Sequence, residues 1–310
     1  MKKKAILFFL FLVGSSSLFA YWEWTPQTRK WINPKFAPKE SPEAQWEYAQ
    51  EYRDSGKYTE ALREYKKLLR YYGTSSFAPK ALEATGEIYA QKKKLKESFQ
   101  AYQEIVLRYP NYPELSEVLK KQREVSANML GRQPANKGIR RFLADTGNAA
   151  EKAESVLAAD PYSQESAELS MKLATYYAQK KEFEKSEAIL EKVITDFPQT
   201  KWEDDARYEI IKKRISSISP AATDREEFDK LEDLISEYLR DFPNSPHAEE
   251  MRQSKQHIRE TAAAKLFAIA KFYERTGKKS AAKNYYQRIV SLYPDTKYGK
   301  DLAPSFPATP

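Results

Sequence analysis

Apolar residues recur along this chain at helical spacing, and one skeleton returns several times. A small residue is followed after three positions by a tyrosine, which is Tyr52, Tyr89, Tyr177 or Tyr273 in the four clearest copies. A second small residue and then a large apolar residue follow, and each copy closes on an aromatic residue before Pro or Gly. Small residues let two helices approach closely, and large apolar residues fill the groove between neighbouring pairs. The pattern therefore predicts stacked pairs of antiparallel helices.

Two intervals between the clear copies are too long for a single helix pair. The first interval predicts a degenerate pair, with helices near residues 115–129 and 148–159. The second interval predicts helices near 203–215 and 224–242, followed by one long helix over 247–275. Together these patterns predict an all-α solenoid of about five to six antiparallel helix pairs, and scarce glycine (9 residues) agrees with a helical chain.

Composition and spacing divide the chain into six predicted regions. In chain order they are a signal peptide (1–20), an extended Trp/Pro-rich segment (21–40), N-terminal repeats (41–130), a degenerate helical connection (131–165), C-terminal repeats (166–300) and a disordered tail (301–310).

The first 20 residues have the features of a secretory signal peptide. Three lysines precede an apolar stretch from Ala5 to Val13, which is too short to span a bilayer comfortably, and small residues lead to Ala20. We expect cleavage after Ala20, and the alternative is an uncleaved N-terminal anchor. Since the sequence contains no Cys, we do not expect a lipid-anchored N-terminus.

The segment from 21 to 40 contains Trp22, Trp24 and Trp31 together with three prolines, which argue against helix. We predict an extended segment whose indoles cover the first helix pair as a cap. The alternative is an exposed aromatic contact for a partner.

The residue inventory offers little for catalysis. The two histidines, His247 and His257, lie on one predicted helix without a metal motif or a nucleophile elbow. No glycine-rich phosphate loop is present, and the absence of Cys removes disulfides and thiolate metal sites. A net charge of +8 on 310 residues is mild and is not a concentrated basic stripe. We therefore expect no enzyme activity, no cofactor, no metal, no small-molecule substrate and no nucleic acid partner.

The repeated skeleton is a tetratricopeptide (TPR) signature, and repeat scaffolds of this kind bind other proteins. Their first helices line the concave side, where partner segments lie. Counting from the repeated spacing of the tyrosines gives nine candidate partner- or peptide-binding residues in this groove. They are Trp46, Gln50, Arg53, Lys80, Glu83, Glu87, Phe267, Lys271 and Arg275. In the first repeat, one large aromatic residue among charges of both signs suits an extended peptide with an aromatic anchor. The alternative is that these are ordinary solvated helix residues.

Several stretches resemble the outer-membrane protein assembly factor BamD and its relatives. They are residues 47–50 with 58–62, and a C-terminal block formed by 265–273, 280–286 and 293–296. The resemblance implies a periplasmic TPR scaffold, peripherally associated with the outer membrane, that helps to assemble β-barrel proteins. Its N-terminal repeats would bind unfolded outer-membrane protein segments. Its C-terminal repeats would dock on the periplasmic domains of the barrel-forming subunit.

Three features depart from that family: the missing lipidated Cys, the Trp-rich segment and an apparent sixth helix pair. A second hypothesis is therefore a periplasmic TPR adaptor that coordinates cell-wall synthesis or envelope constriction. Such adaptors often carry an N-terminal coiled coil, and this N-terminus has no heptads. A third hypothesis, a hydrolase on a helical scaffold, conflicts with the missing catalytic motifs.

Overall fold

The computed structural model describes residues 23–25, 29–32, 37–131, 149–218 and 225–306. These residues form two short strands, β1 (Glu23–Thr25) and β2 (Lys30–Ile32), and thirteen helices. The helices are α1 (Pro42–Asp54), α2 (Tyr58–Tyr71), α3 (Phe77–Gln91), α4 (Leu95–Arg108), α5 (Leu115–Leu130), α6 (Ala149–Ala159), α7 (Gln164–Gln179), α8 (Phe183–Asp196), α9 (Lys201–Ser217), α10 (Arg225–Asp241), α11 (Ala248–Arg275), α12 (Lys279–Leu292) and α13 (Lys297–Leu302). The predicted all-α helical-repeat fold is confirmed.

The chain divides into two compact units, residues 1–125 and 126–310. In the first unit, α1 pairs with α2 and α3 pairs with α4. In the second unit the pairs are α7 with α8, α9 with α10 and α11 with α12. Helices α5 and α6 lie close to the two helices predicted near 115–129 and 148–159. The predicted signal peptide lies outside the described residues, as does most of the first half of the predicted helical connection (132–148).

Several helices begin at a Ser or Thr whose side chain satisfies a free backbone N–H. The Ser41 hydroxyl accepts the N–H of Ala44 at 3.1 Å, and Pro42 occupies the first helical position. The same role falls to Ser163 at α7 and to Thr200 at α9. Because the first N–H groups of a helix have no intrahelical partner, these caps fix where the helices start.

The turns inside four helix pairs share one backbone conformation. The residue four positions after each skeleton tyrosine has a positive φ: 70° at Gly56, 57° at Lys93, 63° at Lys181 and 75° at Gly277. In each turn the N–H of the following residue donates to the carbonyl of the tyrosine itself, as Lys57 does to Tyr52 at 2.8 Å. Glycine adopts this left-handed conformation without strain, whereas lysine does not.

The small positions of the skeleton lie where two helices touch. A Cβ added to Gly86 would lie 2.5 Å from the Tyr102 ring, so α3 and α4 approach too closely there for any larger residue. In the first pair, Ala49, Ala61 and Tyr65 are fully buried in one cluster. The skeleton therefore builds the core as the sequence predicts.

The C-terminal end of the described chain is ordered beyond the last repeat. Residues 297–302 form α13, which begins at the buried cap Thr296. The Phe306 ring lies 4.8 Å from the Tyr286 ring. The prediction of a disordered tail from residue 301 is therefore wrong as far as residue 306, because an aromatic side chain outweighs the Pro-rich composition. Residues 307–310 lie outside the described part.

The N-terminal segment contains a hairpin, with Trp24 directly opposite Trp31. Both indoles are well exposed, Trp24 at 50% and Trp31 at 62%, and their rings pack on each other with centroids 6.1 Å apart. These exposures do not support the prediction that the two rings cap the first helix pair. Residues 37–40 contact that pair instead, since Lys39 N–H donates to Gln45 and Tyr72 O–H donates to the Lys39 carbonyl. The third predicted cap residue, Trp22, lies outside the described residues.

Candidate functional sites

Within residues 1–125, the predicted groove positions of α1 and α3 meet a lysine from α5. Arg53 forms an ion pair with Glu87 at 2.8 Å. The ammonium of Lys121 bridges Glu83 at 2.6 Å and Glu87 at 2.5 Å. Three of the predicted residues, Arg53, Glu83 and Glu87, therefore lie together, and Lys121 is the central residue that sequence reasoning missed. We call these four residues the charged network.

Hydrogen bonding ties this network into the surrounding helices. Tyr112 donates its O–H to Glu83 at 2.8 Å, and burial together with this bond raises the pKa of Tyr112 above its ordinary value. Burial lowers the pKa of Lys121, but its bonds to Glu83 and Glu87 outweigh burial and raise the pKa. The network holds two cations and two carboxylates, so its charges neutralise one another.

The remaining predicted residues of this face surround an aromatic group. Trp46 is partly buried, with its ring centroid 5.6 Å from Tyr65 and 6.2 Å from Phe77. The exposed Lys80 places its ammonium 5.6 Å from the Phe77 ring, and Gln50 is partly buried. The part of the Trp46 ring that stays accessible is therefore the main apolar feature of the predicted groove in this unit.

In the last repeat, the predicted residues do not form an open groove. The partly buried Phe267 ring lies 5.8 Å from Tyr286 and 5.0 Å from Tyr298, and it packs against the core cluster of the second unit. Lys271 forms an exposed ion pair with Glu274 at 2.8 Å. Arg275 is exposed at the end of α11. Tyr298 of α13 covers part of the Phe267 ring, and partner binding by these three residues stays a prediction.

A different side of the same long helix is open. A groove of about 770 Å³ runs along α11 and is bounded at one side by Tyr298 of α13. Its apolar lining comes from Ala264, Ala268, Ile269 and Phe272, and the Phe272 ring is 53% exposed. We call this surface the α11 groove. An exposed apolar surface of this kind is typical of a protein-binding site.

Polar contacts fix the walls of the α11 groove. Arg259 donates to both oxygens of Asp295, which precedes α13, and also pairs with Glu232 of α10. Asp295 has a lowered pKa, chiefly because of its hydrogen bonds from Arg259. Glu260, which lines the groove, accepts the backbone N–H of Lys297 at 2.8 Å. Residues from α11 and α13 therefore hold a defined spacing.

Basic residues dominate the chain around this groove. Residues 256–306 contain ten Lys and Arg residues against four Asp and Glu residues. This stretch therefore carries most of the net charge of +8. Unlike the charged network, it has an unbalanced charge that favours an acidic ligand surface.

The described residues contain no cluster of three His, Cys, Asp or Glu side chains that could hold a metal ion. Among the helices of those residues, none combines the length and hydrophobicity that crossing a bilayer requires.

The paired helices, small-residue contacts and helix-lined surfaces define a TPR-type protein-interaction scaffold. A family model described as YfiO, an outer membrane lipoprotein, matches residues 142–305, which is more than half of the chain, and the chain belongs to this family. Because the family is BamD-like, the resemblance seen in the sequence is confirmed at the level of the family. A tetratricopeptide-repeat model matches residues 48–113.

Solved structures of TPR proteins are similar to this chain at low identity. A tetratricopeptide repeat protein from Parabacteroides merdae is 15% identical with a TM-score of 0.36, over 84% of this chain and 96% of its own. A thermophilic TPR protein from Thermus thermophilus is 15% identical with a TM-score of 0.31, over 70% and 98%. PilW, a type IV pilus biogenesis factor, is 14% identical with a TM-score of 0.29, over 85% and 99%. No curated protein matches the chain.

Proposed function

We propose that this protein is a non-catalytic periplasmic scaffold, held peripherally at the outer membrane, that helps to assemble β-barrel proteins there. The α11 groove carries the proposal, because it is an exposed apolar surface within the family-matched region. In this proposal the groove receives a segment of the barrel-forming subunit's periplasmic domains. Family membership supports the outer-membrane setting.

The chemistry of the groove specifies the segment that would bind. An apolar trough beside a strongly basic surface suits an amphipathic segment with an apolar stripe flanked by acidic residues. Apolar contacts with Ala268 and Phe272 would supply affinity, and the lysines and arginines of residues 256–306 would speed association and favour acidic partners.

The A-helix face of residues 1–125 has a second role in this proposal. Its partly accessible Trp46 beside Phe77 and Lys80 would bind unfolded outer-membrane protein segments through aromatic side chains. The charged network leaves few free charges for such a ligand. We therefore expect weak binding that falls at least threefold in Trp46→Ala and changes little in Gln100→Ala, an exposed position of α4, as measured by fluorescence anisotropy with a labelled barrel-strand peptide.

Photocrosslinking in cells tests the partner. A photoreactive amino acid at Ala268 or Phe272 should crosslink to a β-barrel protein with periplasmic domains, whereas one at the exposed Gln253 of the same helix should not. A crosslink to cell-wall synthases or division proteins would favour the adaptor hypothesis and overturn the assembly role. Absence of any groove-specific crosslink would overturn the groove itself as the docking surface.

A matched pair of variants separates binding from folding. Ala268→Glu places a negative charge in the exposed groove, and we expect at least tenfold weaker recovery of the partner with an unchanged melting temperature. Gln253→Glu adds the same charge to an exposed position of α11 outside the groove lining and should leave recovery unchanged. Equal recovery with both variants would contradict the proposed site.

A further inference from the structure

The hairpin at residues 23–32 presents a paired aromatic surface that the partner-binding groove does not use. Trp24 and Trp31 face each other across β1 and β2, with ring centroids 6.1 Å apart and an edge-to-face angle of 65°. Cross-strand aromatic pairs stabilise a hairpin, yet an isolated two-stranded hairpin is only marginally stable in water. In the described residues the sheet has these two strands alone.

The size of this surface decides what can cover it. The indoles are 50% and 62% exposed. A fully buried aromatic side chain removes about 150–250 Å² from water, so two half-exposed indoles offer at most about 300 Å². A stable protein interface needs about 800 Å² from each partner. The pair is therefore too small to be a protein-docking site by itself, whereas a bilayer interface accepts single tryptophans.

Charge favours an anionic bilayer. Arg29 is exposed in the turn, two residues before Trp31, and its positive φ of 50° places it in the left-handed region. Without the three lysines of the first 20 residues, residues 21–310 contain 49 Lys and Arg against 44 Asp and Glu, a net charge of +5. A basic side chain next to an anionic lipid surface gains electrostatic attraction that adds to the partitioning of the aromatic rings.

A short stretch of chain connects the hairpin to the first helix pair. Ala37 is five residues after Ile32, so the chain between them can span at most about 18 Å. The following residues bind the first helix pair through Lys39 and Tyr72, whose O–H donates to the Lys39 carbonyl at 2.5 Å. A membrane contact at the tryptophans would therefore keep the first repeat close to the bilayer surface.

We propose that the Trp24–Trp31 face of the hairpin, together with Arg29, binds the headgroup region of an anionic phospholipid bilayer. The contact is peripheral and is separate from protein binding at the α11 groove. The result of its test therefore does not depend on the barrel-assembly role.

Vesicle partitioning tests this contact. The probe is a vesicle with about 30% phosphatidylglycerol in phosphatidylcholine, mixed with protein purified after export and confirmed by mass spectrometry to begin at Tyr21. We expect Trp24→Ser/Trp31→Ser to reduce the partition coefficient at least tenfold. The matched control Leu107→Ser/Phe183→Ser removes two other exposed apolar side chains, and it should leave partitioning unchanged. Equal partitioning of the two double variants would overturn the proposal.

A second variant keeps the test decisive if the double substitution unfolds the hairpin. Arg29→Glu retains both indoles, and the exciton signal of the tryptophan pair in circular dichroism shows whether the hairpin persists. We expect it to lower partitioning about fivefold or more at low salt, with a smaller difference at high salt. If Arg29→Glu left the partition coefficient unchanged, the charge contribution would be overturned. The same holds if the wild type partitioned no more strongly to anionic vesicles than to neutral ones. Binding of the wild type to peptidoglycan sacculi but not to vesicles would show that the aromatic face recognises a polysaccharide instead.

Discussion

On the A-helix face of residues 1–125 the charged side chains bind one another, whereas along α11 an apolar groove lies open beside an excess of basic residues. Arg53, Lys121 and two glutamates make a closed set in which each cation has a carboxylate partner. Phe272, by contrast, is 53% exposed within the groove. The same repeat skeleton thus supports one surface whose charges are paired with each other and another whose apolar side chains stay exposed to water. A ligand that covers the exposed apolar side chains gains binding free energy.

The two surfaces also depend on different forces. Losing Lys121 leaves the carboxylates of Glu83 and Glu87 without their shared cation at partial burial, which costs stability in that unit. The α11 groove instead needs fixed walls, which Arg259 provides through Asp295 and Glu232. The groove residues themselves contribute little to folding, because their apolar atoms remain exposed.

The largest effect is expected from Arg259→Ala, which removes the link between α10, α11 and the approach to α13. Arg259 is mostly buried and also donates to the Leu292 carbonyl at 3.1 Å, so its loss leaves several acceptors unpaired. We expect the second unit to lose about 2–3 kcal/mol. Peptide-resolved hydrogen exchange should show faster exchange in α11 and α13, with α1 to α4 unchanged.

Arg240→Ala is the control for this change, because Arg240 is an exposed residue of α10 with ion pairs only to neighbours in its own helix. It should alter stability by less than about 0.5 kcal/mol. If Arg259→Ala and Arg240→Ala had equal effects, the groove walls would not depend on the Arg259 contacts.

Lys121→Met should produce the next largest effect, and in the other unit. Without the ammonium, Glu83 and Glu87 lose a shared partner, and we expect a loss of about 1–2 kcal/mol. Exchange should rise in α3 and α5 while α11 stays protected. The exposed Lys120→Met is the matched control, and a similar loss there would mean that the network contributes no specific stability.

The pH dependence of this loss has a definite sign. Because the folded pKa of Lys121 is raised, its contribution is fully present below the unfolded value of about 10.4 and disappears as pH rises through the folded value. The stability difference between wild type and Lys121→Met should therefore be constant at neutral pH and shrink in strong alkali. A difference that persisted unchanged in strong alkali would contradict this account.

Asp295→Asn tests the second unit, where we expect the stabilising contribution to be lost in acid and not in alkali. The folded pKa of Asp295 is lowered, mainly by Arg259, so its contribution is present above the unfolded value of about 3.9 and is lost as pH falls through the folded value. We expect Asp295→Asn to destabilise the second unit by about 1 kcal/mol near neutral pH. The two proteins should become equally stable in acid, as denaturant titrations at several pH values would show.

Local periodicity predicted the helices well, because their ends are set by caps and prolines close in sequence. Helices α9 and α10 span Lys201–Ser217 and Arg225–Asp241, close to the predicted 203–215 and 224–242. Local periodicity could not predict which charged side chains pair with each other between helices. Lys121 lies 34 residues from Glu87, and only the packing of α3 against α5 brings them together.

The partner-binding residues counted on α11 stay a prediction, and the α11 groove is lined by other residues of the same helix. Sequence counting placed Phe267 in a groove, and the structure places its ring against Tyr286 and Tyr298. The sequence did not indicate the aromatic contact of Phe306 with Tyr286, because the tail is Pro-rich. A final aromatic residue after a short helical pattern is the signal that could have revealed it.

The smallest effect is expected from Lys181→Gly, which tests whether the two units share one skeleton. Lys181 has a φ of 63°, as its counterparts Gly56, Lys93 and Gly277 have values between 57° and 75°. The substitution relieves about 1–2 kcal/mol of left-handed strain and adds an entropy cost for glycine of about 0.5–1 kcal/mol, so stability should rise by about 0.5–1 kcal/mol.

The neighbouring Lys180 has a helical φ of −78°, and Lys180→Gly should instead destabilise the protein. Thermal unfolding of the two variants, with Lys93→Gly as the counterpart in the first unit, gives opposite signs if the turn is common to both units. A destabilised Lys181→Gly would mean that the lysine side chain stabilises this turn by more than its backbone strain costs. If Lys93→Gly were stabilised at the same time, the turns of the two units would differ as their surfaces do.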